Sequence, residues 1–329
     1  MRAAYLAAPG RVEVDDVPDP AADAPGDLVV RMELASVCGS DVHTVFDGFH
    51  EPDALGRPGY PGHEGIGTVV ESRARAVPVG TRVLTVPVPA EAGCFAQYQR
   101  LPAGQVVPLP DGASVERLLL AQQYGTTLFA MRLFWPDGGA TRPAGTAAIL
   151  GAGSAGLFFV QLARRAGFAQ VLVADPDPYR LGVARELGAT TTVRPGRESL
   201  VEAVLDVTGG TGADLVIEAA GYDAARAECV AAAARQGTVG LFGFPERRGH
   251  AGFPMYDAFR KVLRIQWAGG TQSEPGLVAF RDAVREIADG TVEVAHCLGS
   301  DHRLEEVPAA LELARSGGRG SIKQTIRLA

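Results

Sequence analysis

Two short stretches near the N-terminus concentrate side chains that can hold a metal. One is Cys38-Gly39-Ser40-Asp41-Val42-His43 and the other is Gly62-His63-Glu64-Gly65. Thiolate, imidazole and carboxylate are the zinc-binding groups of proteins. Three of them with one exchangeable position make a catalytic rather than a structural site. Cys38, His63 and Glu64 are therefore the candidate ligands. Taken singly, each has a plainer reading: a lone cysteine packs as a small hydrophobe, and a lone histidine is a satisfied structural residue. A third stretch shifts that balance. Gly151-Ala152-Gly153-Ser154-Ala155-Gly156 has the spacing of a dinucleotide-binding turn. The first glycine allows a tight turn, the second lets the backbone approach a pyrophosphate, and the third lets helix and strand pack closely. Asp175 follows nineteen residues beyond Gly156. A carboxylate there accepts hydrogen bonds from the adenosine ribose and repels a 2′-phosphate. Pro176 and Asp177 come next, with no Arg or Lys directly beside Asp175, which favours NAD over NADP.

The glycine pattern carries meaning only between a strand and a helix, and the flanking sequence predicts both. Residues 146–150 read as a compact apolar strand, about 157–166 as a helix and 170–174 as a second strand. Residues 179–187 read as a helix closed by Gly188. Strands at 215–219 and 238–242 flank a helix at 224–235. Alternating strands and helices predict an α/β fold, a Rossmann doubly wound parallel sheet covered on both faces. The metal-ligand stretches lie in a different texture. Short Val-rich runs at 28–32, 67–70, 82–86 and 105–107 are separated by Pro and Gly clusters, which predicts a small β-rich domain. Residues 118–133 have the apolar spacing of one helix. Two helices near 276–289 and 304–316 and a final strand at 322–328 complete the chain.

A chain of 329 residues suggests two domains. With 47% apolar and 21% charged residues it has enough apolar surface to fold, which excludes disorder. A net charge of -7 argues against nucleic-acid binding, because phosphate recognition uses a basic excess. No apolar run is long enough for a membrane span. Pro9 and Gly10 interrupt the N-terminus before a signal-peptide core can form, so the expectation is a cytoplasmic protein. The four cysteines, Cys38, Cys94, Cys229 and Cys297, form no C-x-x-C pair and no disulfide framework.

CGSDVH at 38–43, PGHEGIGTVV at 61–70, VGTRV at 79–83, VPLPDG at 107–112, GAGSAG at 151–156, ADLVIEAAG at 213–221 and SIKQTI at 321–326 occur in this order. The set resembles the zinc-dependent medium-chain dehydrogenase/reductase family, in its alcohol and polyol dehydrogenase branch, over the whole chain. The resemblance implies a GroES-like catalytic domain, residues 1–123 and 271–329, and a Rossmann domain, residues 124–270. It implies hydride transfer between NAD and a secondary alcohol or ketone: a polyol, a cyclitol or an (amino)sugar. Cys38 and His63 match the family's zinc ligands, and Glu64 matches the neighbouring carboxylate that binds zinc directly or intermittently. Asp41 matches the acid that orients the ligand histidine. Ser40 matches the hydroxyl that takes the alcohol proton, and His43 the distal end of that relay. Thr126 falls where the family contacts the nicotinamide, Lys323 matches a basic residue near the cofactor phosphates, and Arg180 falls near the adenosine ribose. Ser154 and Ala155 lie within the glycine turn. A homodimer or homotetramer is implied as well, acting on a small molecule without nucleic acid or membrane.

Two departures stand out. The family's fourth zinc ligand position, usually Cys, Glu or Asp, is Gln122 here. A neutral amide is a poor ligand, so Cys38, His63, Glu64 and water are the expected set, with Gln122 linked through the water. The family's four-cysteine lobe is missing: the chain runs through 87–92 and Cys94 stands alone. One catalytic zinc and no structural zinc are expected, with Cys94, Cys229 and Cys297 as packing residues. Two other readings of the same scaffold are a zinc-free NAD(P)H-dependent enone or quinone reductase and a non-catalytic NAD-binding sensor. The Cys38, His63 and Glu64 cluster argues against the first. Ser40 and His43 argue against the second, since binding alone needs neither.

Overall fold

The structure, a computed structural model, describes residues 1–136 and 145–328. They form two compact units, Met1–Gly125 with Gly270–Ala329, and Thr126–Gly269. In chain order the first unit opens with strands β1 (Arg2–Ala8), β2 (Arg11–Asp16) and β3 (Asp27–Ser36), then helix α1 (Gly39–Phe46). Strands β4 (Glu64–Ser72), β5 (Arg82–Thr85), β6 (Tyr98–Pro102) and β7 (Val106–Pro108) and helix α2 (Val115–Leu119) follow, and helix α3 (Ala121–Phe134) begins in this unit and continues into the second from Thr126. The second unit contains β8 (Thr146–Leu150), α4 (Ser154–Arg165), β9 (Gln170–Ala174), α5 (Pro178–Glu186), β10 (Thr191–Val193) and α6 (Leu200–Val207). It ends with β11 (Ala213–Glu218), α7 (Asp223–Ala232), β12 (Ala233–Leu241), α8 (Met255–Lys261) and β13 (Arg264–Trp267). The chain then returns to the first unit through α9 (Val278–Ala288), β14 (Asp301–Arg303), α10 (Val307–Arg315) and β15 (Thr325–Arg327).

The first unit is built on a mixed sheet in the order β14-β15-β3-β4-β5-β7, with β6 also paired to β3. Its long central strand β3 is buried along most of its length, with only Arg31 exposed. Leu28, Val30 and Met32 enter a core that also takes Leu304, Val307, Leu311, Ile326 and Leu328 from the C-terminal elements. The second unit is a six-stranded sheet, order β10-β9-β8-β11-β12-β13, parallel in every pair. Renumbered within the unit this is 3-2-1-4-5-6, the Rossmann order, and a dinucleotide crevice belongs at its switch point between β8 and β11.

Several expected elements differ in extent from the structure; the final strand, expected at 322–328, is confined to Thr325–Arg327. The helix expected at 118–133 is two helices, α2 and α3, divided at Leu120. The helix expected at 224–235 stops at Ala232, because Ala233 turns extended and pairs with Ala213 of the neighbouring strand. Ala233 and Ala234 are buried there, so the sheet captures residues whose own preference is helical. The helix expected from about 157 begins at Ser154 with Gly153 as its N-cap, so the second half of the glycine turn is already the first helical turn. No helix among the described residues is long and apolar enough to cross a membrane.

One partly buried histidine should make the first unit acid-sensitive. Burial pushes His296 down to about 4, only partly opposed by the Glu293 carboxylate. The unfolded chain takes up this proton near pH 6.5 and the native chain does not, so stability falls as pH drops from about 6.5 to about 4. The contribution lost across that window is up to about 3 kcal/mol. Urea unfolding of His296→Gln at pH 7 and pH 4.5 should show a smaller acid loss than the parent; an identical loss would remove His296 as the cause.

Candidate metal centre and dinucleotide site

Strand register assembles the first site. Ser36, the last residue of β3, lies opposite Glu64 of β4 and also opposite Thr325 of β15. Cys38 is two residues past Ser36, His63 is one before Glu64, and Lys323 is two before Thr325, so three distant segments converge. A slip of one residue would turn each side chain to the other face of the sheet. The ligand atoms of Cys38, His63 and Glu64 lie within 4.8 Å of one another. Among the described residues this is the one such group of three His, Cys, Asp or Glu residues.

Each member is held by a neighbour. Cys38 is the N-cap residue of α1. Its N–H donates to Asp41 Oδ2 at 2.8 Å. The other oxygen of the buried Asp41, Oδ1, lies 2.9 Å from His63 Nδ1. A carboxylate on Nδ1 fixes the ring and leaves Nε2 for a metal. Glu64 Oε2 accepts from Ser36 Oγ at 2.5 Å and lies 2.6 Å from Lys323 Nζ. Its second oxygen, Oε1, is buried without a hydrogen-bond partner among the described residues. A buried carboxylate oxygen is costly unless it meets a donor or a cation, and the donor set beside it, thiolate and imidazole, is that of zinc. The site fits the metal.

The electrostatics agree. Burial opposes a charged His63, but the Asp41 carboxylate and the Cys38 sulfur outweigh it and hold the imidazole pKa well above its ordinary value. Burial likewise opposes an ionised Glu64, and Lys323 and His63 outweigh it, so the carboxyl pKa falls. Lys323 is buried too, yet Glu64 and Cys38 raise its pKa. In the metal-free arrangement the Asp41 and Glu64 carboxylates are matched by the His63 imidazolium and the Lys323 ammonium, so a metal on His63 would take the place of its proton. Burial pushes the remaining thiols the other way: Cys94 and Cys229 well up, and Cys297 to about 12. They remain protonated packing residues.

Other expected residues take definite places. The buried Gln122, on the first turn of α3, donates weakly to the His63 carbonyl at 3.5 Å. It braces the backbone of the candidate ligand His63. Ser40 and His43 stand one turn apart on α1, with His43 Nδ1 2.8 Å from Asp47 Oδ2 and its ring edge-on to Phe49. Lys323 is 4% exposed, and its ammonium is enclosed between Glu64 and Gln123 Oε1, 3.2 Å away, inside the first unit. Its ion-pair partner among the described residues is Glu64, a candidate metal ligand. Ser36 and Gln123, which complete this arrangement, were not legible from local pattern. The available signal was composition, since Lys323 is one of only two lysines in the chain.

The second unit carries the glycine turn at the carboxyl end of β8. Gly151 has φ +99, and a side chain there would press on the Ala219 and Ala220 backbone of the loop after β11. A Cβ on Gly156 would lie 1.9 Å from the Gly151 carbonyl oxygen, so only glycine permits the turn and helix to touch. Over Gly153 the space is open. Gly153 gives α4 no side-chain cap, so the N–H groups of Ser154, Ala155 and Gly156 open the helix without one, the arrangement that receives phosphate oxygens. Asp175 is buried and braces the turn: Oδ2 accepts from Ala152 N–H at 2.7 Å and Oδ1 from Asp177 N–H at 2.8 Å. Arg180 on α5 has its Nε 3.9 Å from Asp177, and Thr126 is half-buried on α3.

Comparison with known proteins places this architecture. Residues 24–111 match the alcohol dehydrogenase GroES-like domain, and residues 154–289 match the zinc-binding dehydrogenase domain. L-threonine 3-dehydrogenase of Bacillus subtilis (strain 168) is 29% identical over 93% of both chains. Scyllo-inosose 3-dehydrogenase of Thermotoga maritima is 30% identical over 90% of this chain and 85% of its own. Among solved structures, the alcohol dehydrogenase TADH from Thermus sp. ATN1 superposes with a TM-score of 0.86 at 24% identity, covering 100% of both chains. With both domain models matched in order and relatives aligned over nine tenths of its length, the chain belongs to the zinc-dependent medium-chain alcohol dehydrogenases, oxidoreductases that act on CH–OH donors.

Proposed function

We propose that this cytoplasmic enzyme oxidises a secondary alcohol of a polyol, cyclitol or (amino)sugar to the ketone with NAD, using one zinc per chain. The observation that carries the reading is the Cys38, His63 and Glu64 cluster, with a buried Glu64 oxygen lacking a hydrogen-bond partner. The names of the relatives support the substrate class, since a threonine 3-dehydrogenase and an inosose 3-dehydrogenase both act at secondary carbinol positions. Cys38, His63 and Glu64 would hold the zinc, and the amides of 153–156 with Asp175 and Arg180 would hold the dinucleotide, with Thr126 toward its nicotinamide. When bound, the zinc supplies a Lewis acid that acidifies the alcohol and the nicotinamide accepts the hydride. The protein's own residues manage the proton. Ser40 accepts it from the substrate hydroxyl while giving up its own hydroxyl proton toward His43, which stands one turn along α1, is oriented by Asp47 and releases a proton to solvent. Asp41 keeps His63 in its ligand orientation, and Ser36 and Lys323 keep Glu64 ionised. The neutral Gln122 leaves the site one negative charge short of an acidic fourth ligand.

Metal analysis on protein purified without chelating resin, followed by an NAD-linked panel of polyols and cyclitols, tests this. About one zinc per chain and turnover of a secondary alcohol are expected. Zinc-free protein with full activity on enones or quinones would overturn the reading.

The enzyme is also a homodimer or homotetramer in this reading. β13 is an edge of the parallel sheet. Trp267 on it and Met255, Tyr256 and Phe259 on α8 are large apolar groups more than half exposed. An open edge beside an apolar face is a surface that proteins cover, and a second copy covers it by two-fold symmetry. Light scattering should show a multiple of the chain mass for the parent and a shift toward monomer for Phe259→Asp. A monomeric parent excludes this assembly.

A further inference from the structure

At the outer edge of the parallel sheet, α5 and the turn after β10 border an open cavity of about 260 Å³, lined in part by Arg185, Thr192, Arg194, Arg197 and Glu198. None of the three guanidiniums has an ion-pair partner among the described residues. The single acid, Glu198, is already engaged: its Oε2 accepts from Arg194 N–H at 2.9 Å. Thr192 Oγ1 is buried and has no hydrogen-bond partner among the described residues. Three cations against one acid therefore line this cavity, on a chain whose net charge is -7.

The strand register fixes where this lies. β10 runs parallel to β9 with Val193 opposite Ala174, and the Asp175 N–H donates to the Val193 carbonyl. Arg194 and Asp175 thus leave the sheet side by side at its carboxyl end. The Asp175 carboxylate is not a bare negative neighbour, because two backbone N–H groups already donate to it.

We infer that this cavity binds a phosphomonoester. Planar guanidinium forks match the spacing of phosphate oxygens, and charge-assisted pairs of this kind are the stronger hydrogen bonds. The phosphate has two possible sources: the 2′-phosphate of NADP, which rests on the nicotinamide-linked reading above, or a separate phosphorylated metabolite. An acidic residue at the end of the second strand disfavours the first source, and an arginine nearby accommodates it. Here the arginine arrives through the neighbouring strand.

The test uses the full-length zinc-loaded enzyme, Arg194→Ala/Arg197→Ala, and Arg185→Ala as an independent variant on an exposed helical position. Inorganic phosphate is titrated by phosphorus NMR line broadening, and NADH and NADPH by nucleotide fluorescence. Saturable phosphate binding is expected in the parent, weakened at least about tenfold in the double variant and by a smaller factor in Arg185→Ala. If NADPH binding weakens with it while NADH changes less than about threefold, the source is the 2′-phosphate. If phosphate binding is lost and NADPH is unchanged, the source is a separate phosphorylated metabolite. Equal phosphate binding by parent and double variant, or none by the parent, overturns the site. A parent that binds phosphate but neither dinucleotide sinks the nicotinamide reading and leaves the cavity standing.

Discussion

Replacing His63 by alanine should empty the metal centre. Zinc content is expected to fall from about one per chain to below about 0.1, because two remaining ligands do not make a closed zinc site. The turnover of a secondary alcohol should fall at least about 10³-fold in kcat/KM, or ~4 kcal/mol of transition-state stabilisation, the scale of a lost Lewis acid. The dinucleotide turn lies in the other unit and rests on Gly151, Gly156 and Asp175, so NADH binding should survive. That separates loss of the metal from loss of the fold. Asp41→Asn is the milder companion: the contact on Nδ1 persists without its charge, so zinc should bind more weakly without being lost. A His63→Ala enzyme that keeps both zinc and activity would show that the cluster of Cys38, His63 and Glu64 is not the catalytic centre.

Lys323→Met should be the most destabilising single substitution at the site. The ammonium is 4% exposed and 2.6 Å from a carboxylate that is 1% exposed. Removing one partner of such a pair leaves the other charge buried and uncompensated, which costs about 3–5 kcal/mol. Metal-free protein is the proper material, since zinc would itself compensate Glu64. Urea unfolding in the presence of a chelator measures the loss. The double variant Lys323→Met/Glu64→Gln should recover more than half of it, because the orphaned charge is gone. A loss under about 1 kcal/mol for Lys323→Met would mean that the two groups are solvated in solution and that Lys323 does not set the charge of Glu64.

The division between what was local and what was not follows the chemistry of each feature. The glycine turn was legible because all its requirements sit within a few residues: a turn with φ +99 at Gly151 and a contact at Gly156 that no side chain permits. The alternation of strands and helices was legible for the same reason, since burial periodicity is written along the chain. The ligand residues could be picked out by type, because few side chains bind zinc. Their arrangement could not. Cys38, His63 and Lys323 meet only because β3 pairs with β4 on one edge and with β15 on the other, and register is a property of whole strands. The helix at 224–235 ended early for a related cause: alanine is content in a helix, but the open edge of β11 offers Ala233 a backbone partner that no local propensity records. Arg194 is nineteen residues from Asp175 in sequence, yet the register that pairs Val193 with Ala174 brings the two next to one another at the end of the sheet. The sequence by itself determined the fold class, the turn and the metal-binding residue types, because each depends on short-range sterics or on side-chain chemistry. Only the tertiary structure decided which charges face one another, because charge pairing across strands depends on long-range register.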